Sequence, residues 1–202
     1  MKYRFNFENR NQPVHFNRER LLLSAMQDPE HLYYMMDTQY EGIYQAEALE
    51  RRRQYGENSY SSVLHASKFK LFPHRRQMIL SAFEMLEKQQ TAVFRRGTHF
   101  YTEVPFEEIV PGDVIFLSKG DVIPADLRII FSKELVVNQG IYPDSEVRVL
   151  KDPVYGPDQL MPEVLTEIPN ICFVGTTVVE GLARGIVINT GKSTYLSHLL
   201  MV

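Results

Sequence analysis

Hydrophobic positions recur along this chain with two different periods, and the change falls near Gln90. Before it, Met78, Ile79, Ala82, Phe83, Met85 and Leu86 return every three or four residues behind Pro73, so the spacing predicts an amphipathic helix from Pro73 to Lys88. Ile43 to Tyr55 is a second predicted helix, with Gly56 at its C′ position and Arg51, Arg52 and Arg53 in its last turns, where the helix dipole favours cations. Asn17 to Met26 is a third. After Gln90, valine, isoleucine and phenylalanine alternate with polar residues between Pro-Gly, Gly-Asp and Thr-Gly turns, which is the rhythm of strands. Ala92 to Arg95 and His99 to Glu103 flank Arg96-Gly97-Thr98 as a hairpin. Asp113 to Leu117 and Val122 to Ile130 are separated by Ser118-Lys119-Gly120-Asp121, and Cys172 to Val179 and Ala183 to Asn189 are joined by Glu180-Gly181-Leu182. A short helix from Ser193 to Leu200 closes the chain. Asp152 to Pro169, with four prolines and one glycine, reads as a surface loop.

Composition narrows the picture. The 202 residues are 44 % hydrophobic and 23 % charged, enough for one ordinary core or two small ones. A net charge of -3 has the wrong sign for a domain whose main partner is nucleic acid. The single cysteine, Cys172, makes no internal disulfide, which fits a reducing compartment. Ile168 to Val179, the most apolar stretch, is interrupted by Pro169 and Asn170 and falls short of the roughly 20 apolar residues a span requires. Lys2, Arg4, Glu8 and Arg10 precede no apolar run, so no secretory signal is expected.

One set of motifs is specific. Val104-Pro105-Phe106-Glu107-Glu108-Ile109-Val110-Pro111-Gly112-Asp113-Val114-Ile115, followed by Lys119-Gly120-Asp121-Val122-Ile123-Pro124-Ala125-Asp126-Leu127-Arg128, resembles the actuator domain of P-type cation-transporting ATPases. Cys172-Phe173-Val174-Gly175-Thr176-Thr177 and Asn189-Thr190-Gly191-Lys192-Ser193-Thr194 look like two further blocks of that family, in the same order. Upstream, Glu41-Gly42-Ile43, Glu47-Ala48, Arg51, Tyr55-Gly56 and Asn58 resemble the helix before the family's first membrane span. Asp37-Thr38, Gln45-Ala46-Glu47, Gly56-Glu57-Asn58 and Pro124 to Ile129 look most like the bacterial magnesium-transporting branch. The expectation is a mainly β, α+β fold: an N-terminal helical segment and linker over residues 1–72, then an actuator-like β domain with its leading helix over residues 73–202, a distorted jelly roll by resemblance. Apart from the name, Pro111-Gly112-Asp113 and Gly120-Asp121 read as tight turns, and Asp126 and Arg128, two apart on a strand, are placed to pair.

The resemblance implies a chemistry that the residues then break. In the family a Thr-Gly-Glu-Ser loop swings onto an aspartyl phosphate, and its glutamate deprotonates the hydrolytic water, which needs a carboxylate within hydrogen-bond reach. Counting from Val137-Asn138-Gln139 to Val149 and Lys151, those four positions are Pro143, Asp144, Ser145 and Glu146. Ser145 stands at the glutamate position, and Arg148 where the family has proline. A slip of one residue would bring Asp144 or Glu146 into place at the expense of one flank, and Pro143 restricts the turn. Between Asn58 and Pro73 there is no room for the family's two-helix membrane hairpin, and the chain ends at Val202 without an Asp-Lys-Thr-Gly-Thr phosphorylation sequence. A segment that does no catalysis alone is therefore expected, with no cofactor in this chain; ATP and Mg²⁺ are implied only for a complete family member. Its expected partner is a P-type ATPase core. A free-standing module that docks on and regulates a membrane transporter is the alternative, and hydrolysis in trans through Asp144 or Glu146 a third reading.

Other candidates have simpler readings. Gly191-Lys192-Ser193 lacks the earlier glycine of a phosphate-binding loop, Ile186 standing in its place, and reads as a strand-to-helix turn capped by Thr190 or Ser193. Lys68, Lys70, Arg75 and Arg76 lie among Phe69, Phe72 and His74, as in a surface that meets anionic lipid, or as in a solvated linker. A cytoplasmic location, free or at the inner face of the membrane, follows. The six histidines show no metal-ligand spacing. Tyr33, Tyr34, Met35 and Met36 form an apolar knot that suits a core or a partner surface.

Overall fold

The computed structural model describes residues 16, 18–61, 64, 73–98, 100–143, 145–154 and 162–201. Among them are five helices, α1 (Arg18–Met26), α2 (Pro29–Met35), α3 (Gln45–Tyr55), α4 (Pro73–Leu86) and α5 (Tyr195–Met201). Eight strands make one mixed sheet: β1 (Ile43–Tyr44), β2 (Gln90–Arg96), β3 (Tyr101–Pro105), β4 (Val114–Ser118), β5 (Asp126–Asn138), β6 (Arg148–Leu150), β7 (Ile171–Cys172) and β8 (Thr177–Asn189). Their order is β1-β2-β4-β8-β5-β6, with β3 on β2 and β7 on β5; only β1 and β2 run parallel. No described helix is long and apolar enough to cross a membrane.

The long strands β5 and β8 are the spine, and here the fold departs from the sequence reading. Gly181, expected to turn the chain between two strands, lies inside the unbroken β8. Its φ is +78°, and a Cβ there would strike the carbonyl oxygens of Lys133 and Glu134 on β5, where Glu134 itself has φ +50°. The glycine makes an irregularity between paired strands, which the same sequence cue cannot distinguish from a turn. Val122 forms only an isolated bridge to Thr177, so the strand expected from Val122 begins at Asp126 and runs to Asn138. Ile43 and Tyr44, expected in a helix, pair instead with Arg95 and Arg96.

Asp126 and Arg128 do not pair. A register shift between Asp126 and Leu127 leaves Ile188 as the extra residue on β8, and each of the two side chains is taken by other partners. Asp126 accepts the backbone N–H of Tyr195 (2.8 Å) and of Val174 (3.3 Å), and burial pushes its carboxyl up to about 7. Arg128 reaches the other way, donating to the carbonyls of Ser24 (3.1 Å) and Gln27 (3.0 Å), while Asn170 donates to Ala25 O (2.8 Å). Body side chains thus satisfy carbonyls at the end of α1 that the helix itself leaves open.

α4 buries Ile79, Ala82, Phe83 and Leu86 in the main core and leaves Met78 and Met85 outside. Met35 and Met36 are core residues: Met36 packs with Leu32 on Val114 and Ile186. The segment after α3 is tied to the sheet by Asn58, whose Nδ2 donates to Phe106 O and Pro124 O (2.9 Å each) and whose Oδ1 accepts Gly191 N–H (2.9 Å). Within α3, Arg51 donates to Met36 O (2.9 Å), Asp37 O (2.6 Å) and Pro111 O (2.8 Å). Gly112 beside it, at φ +93°, has no room for a Cβ, which would meet the Arg51 guanidinium.

Candidate functional site: the loop between β5 and β6

Asn138, at the end of β5, pairs with Arg148 at the start of β6, and the intervening loop carries all four candidate catalytic positions. Pro143 and Ser145 are half-buried and Glu146 is exposed; Asp144 lies outside the described residues. The loop is folded on itself. Gln139 N–H donates to Val147 O (2.9 Å), Tyr142 N–H to Gln139 O (3.0 Å) and Gly140 N–H to Asn138 Oδ1 (3.0 Å). Ser145 Oγ donates to Gln139 O (3.0 Å), with Tyr142 O at 3.4 Å. Both acceptors are carbonyls, so its single proton closes the turn, and no base stands among these contacts to make the hydroxyl a nucleophile.

Tyr142 fastens the loop to the body. It is 1 % exposed, its phenol donates to Val174 O (2.7 Å), and its ring lies parallel to that of Tyr195 with centroids 5.7 Å apart. Phe173 completes the aromatic set, 5.6 Å from Tyr142 and 5.3 Å from Tyr195. Such contacts add about 0.5–1.5 kcal/mol each beyond the area they bury. Behind the loop, Gln139 Nε2 donates to Thr166 O (3.0 Å), and Lys151 Nζ donates to the same oxygen (2.9 Å) and to Ile168 O (3.0 Å). Burial lowers the Lys151 ammonium to about 8 and raises the nearby Cys172 thiol to about 11.

Tyr142 was not singled out by sequence reasoning, because an aromatic at a loop position carries no signal of its own; Gln139 and Lys151 entered only as flanks. Of the basic patch, Lys68 and Lys70 lie outside the described residues, Arg75 is half-buried and Arg76 exposed on α4. Gly191-Lys192-Ser193 forms a 3₁₀ turn with a Thr190–Ser193 capping box, while Thr194 Oγ1 accepts Ser197 N–H in the first turn of α5. Among the described residues, no three His, Cys, Asp or Glu side chains are grouped to hold a metal ion.

Residues 85–201 match the family model described as the P-type ATPase actuator domain. The chain belongs to that family. The magnesium-transporting ATPase, P-type 1, of Escherichia coli strain K12 is 39 % identical over 105 residues, which are 52 % of this chain and 11 % of that protein. Its counterpart in Salmonella typhimurium strain LT2 is 39 % identical over 104 residues, 51 % of this chain and 11 % of the relative. The sodium/potassium-transporting ATPase subunit alpha-2 of Rattus norvegicus is 38 % identical over 126 residues, 60 % of this chain and again 11 % of the relative. The match thus spans only a small part of each of these transporters. Within this actuator domain, the loop that carries Pro143, Ser145 and Glu146 is held closed by Tyr142 and Ser145.

Proposed function

We propose that this actuator domain acts by docking on the core of a P-type ATPase, of the magnesium-transporting kind, without hydrolysing its aspartyl phosphate. The observation that carries this reading is that Ser145, which the resemblance puts at the position of the catalytic glutamate, gives its one proton to a carbonyl of its own loop and has no base among its contacts. A general base must take the proton of the attacking water; a hydroxyl is far too weakly basic to do so without a base beside it, and none stands among the Ser145 contacts. Glu146, the neighbouring carboxylate, is exposed and one position off the counted register. The domain requires no cofactor of its own in this reading; ATP and Mg²⁺ belong to the complete transporter, Mg²⁺ also as its cargo.

In this reading the domain is a distorted jelly roll, and the exposed Arg76 on α4 would meet an anionic inner membrane surface, with Lys68, Lys70 and Arg75 of the same stretch of sequence adding to its charge. Regulation of a separate transporter chain by a free-standing module remains the second form of the same docking. The test is a pull-down of the tagged chain from detergent-solubilised membranes of its source cell, read by mass spectrometry. Recovery of a chain carrying phosphorylation and nucleotide-binding domains is the expected result; no enrichment over a scrambled-sequence control would overturn the reading.

A further inference from the structure

On the side of the sheet formed by β2, β3 and β4, the strands part. β2 and β4 are paired only at Val93 with Ile115 and Phe94 with Val114, whereas β2 and β3 stay paired from Gln90 to Phe94. Where the β2–β4 ladder ends, a cleft of about 180 Å³ opens, walled by Gln90, Tyr101, Glu103, Phe116, Ser118 and Asp121. That is smaller than the pockets of about 300 Å³ and more that hold drug-sized ligands, and suits one side chain. Its chemistry is one-sided: two carboxylates and two aromatic rings, with no lysine, arginine or histidine in the lining among the described residues. Tyr101 is 51 % exposed and Glu103 is exposed, while Asp121 is braced by accepting from Ser118 N–H (2.8 Å). Thr91, also in the wall, is buried, and its hydroxyl has no partner among the described residues.

The same face shows what such a place holds. Phe94 opposes Tyr101 across β2 and β3, and Phe116 opposes Arg184 across β4 and β8, so these side chains share one surface. There the chain seats its own guanidinium between two rings: Arg184 lies 3.9 Å from the Tyr40 centroid and 4.0 Å from that of Phe94, and donates to Tyr40 O (2.6 Å). Arg96 lies over Tyr44 at 4.4 Å. The cleft repeats this pattern with rings and carboxylates but, among the described residues, with no cation in its lining.

We propose that this cleft takes an arginine side chain presented by a partner protein, the guanidinium lying against Tyr101 and Phe116 and donating to Glu103. A planar cation that stacks and hydrogen-bonds through one edge uses both parts of the lining, where a compact ammonium uses the charge alone. The site involves no residue of the β5–β6 loop, so it is a contact separate from the docking proposed above and stands or falls without it.

The test is a titration of the full-length, isotope-labelled chain with acetyl-Gly-Arg-Gly-amide, followed through backbone amide shifts. Saturable shifts confined to residues 89–92, 101–103 and 116–121 are expected, with none from the norleucine peptide of equal length. Glu103→Gln should weaken binding about fivefold or more, as loss of one charged partner at a half-exposed site does. Tyr101→Leu should weaken it about threefold through loss of the ring. Absence of saturable shifts, equal shifts from the norleucine peptide, or unchanged affinity in both variants would each overturn the proposal.

Discussion

The turn at Pro111-Gly112-Asp113 and the loop between Gln139 and Val147 both reverse the chain, but their partners come from different distances along it. The turn is held from outside: Arg51 donates to Pro111 O, Thr38 Oγ1 to Gly112 O (2.6 Å), and Gly112 N–H to Val187 O (2.9 Å). Asp113, fully buried, accepts from Arg95 (2.9 Å) and Val110 N–H (3.0 Å). The loop is held largely from within, by Ser145, Gln139 and Asn138, with Tyr142 as its main anchor to the body. The turn is therefore a joint between α3 and the sheet, and altering it disturbs both. The loop is a closed plug whose side chains fix its own shape, so its chemistry is decided by which groups remain unengaged.

The comparison breaks most visibly at Arg51. Arg51→Ala should cost about 3–5 kcal/mol in urea unfolding, because two buried carbonyls and a third, part-buried one lose their donor at once. A cost near that of a surface substitution would mean that the turn is not a joint. The next effect is on pH dependence. Burial raises the Asp113 carboxyl from 3.8 to about 6, so the folded protein binds this proton more tightly than the unfolded chain. The resulting contribution to stability is complete below the unfolded value and is lost as pH rises through about 6. Asp113→Asn, which does not titrate, should therefore flatten the fall in stability between about pH 4 and about pH 7; an unchanged slope would show that Asp113 does not contribute to it.

In the loop the effects are smaller. Tyr142→Phe removes one buried hydrogen bond and leaves Val174 O without that donor, for an expected loss of about 1–2 kcal/mol with the ring stack intact. Ser145→Ala should cost only about 0.5–1 kcal/mol, since the backbone bond from Gln139 to Val147 still closes the loop. If Ser145→Ala exceeds Tyr142→Phe in thermal unfolding, the order of anchoring argued here is reversed.

How much of this was legible in the sequence depended on whether a residue's role is local. The helical rhythm behind Pro73 and the glycine after Tyr55 gave α4 and most of α3, because period and capping are properties of neighbouring residues. Gly181 misled, since a backbone forced to positive φ reads the same whether it turns the chain or bulges against another strand. Asp126 and Arg128 misled for a different reason: two like-facing positions on a strand need not meet, and each is taken by partners distant in sequence. The four loop positions reached by counting from their flanks do fall together, between β5 and β6. What holds that loop was not legible, because Tyr142 acquires its role only through Val174, Phe173 and Tyr195, which are distant in sequence and meet it only after folding.

The most direct measurement of the central claim is the decay of the aspartyl phosphate on a P-type ATPase core deprived of its own actuator loop, with and without this chain in excess. The account predicts that the chain binds that core, seen by co-sedimentation, and leaves the decay rate unchanged. Faster decay on adding the chain, abolished by replacing Asp144 and Glu146 with alanine, would contradict it and return the loop to catalysis.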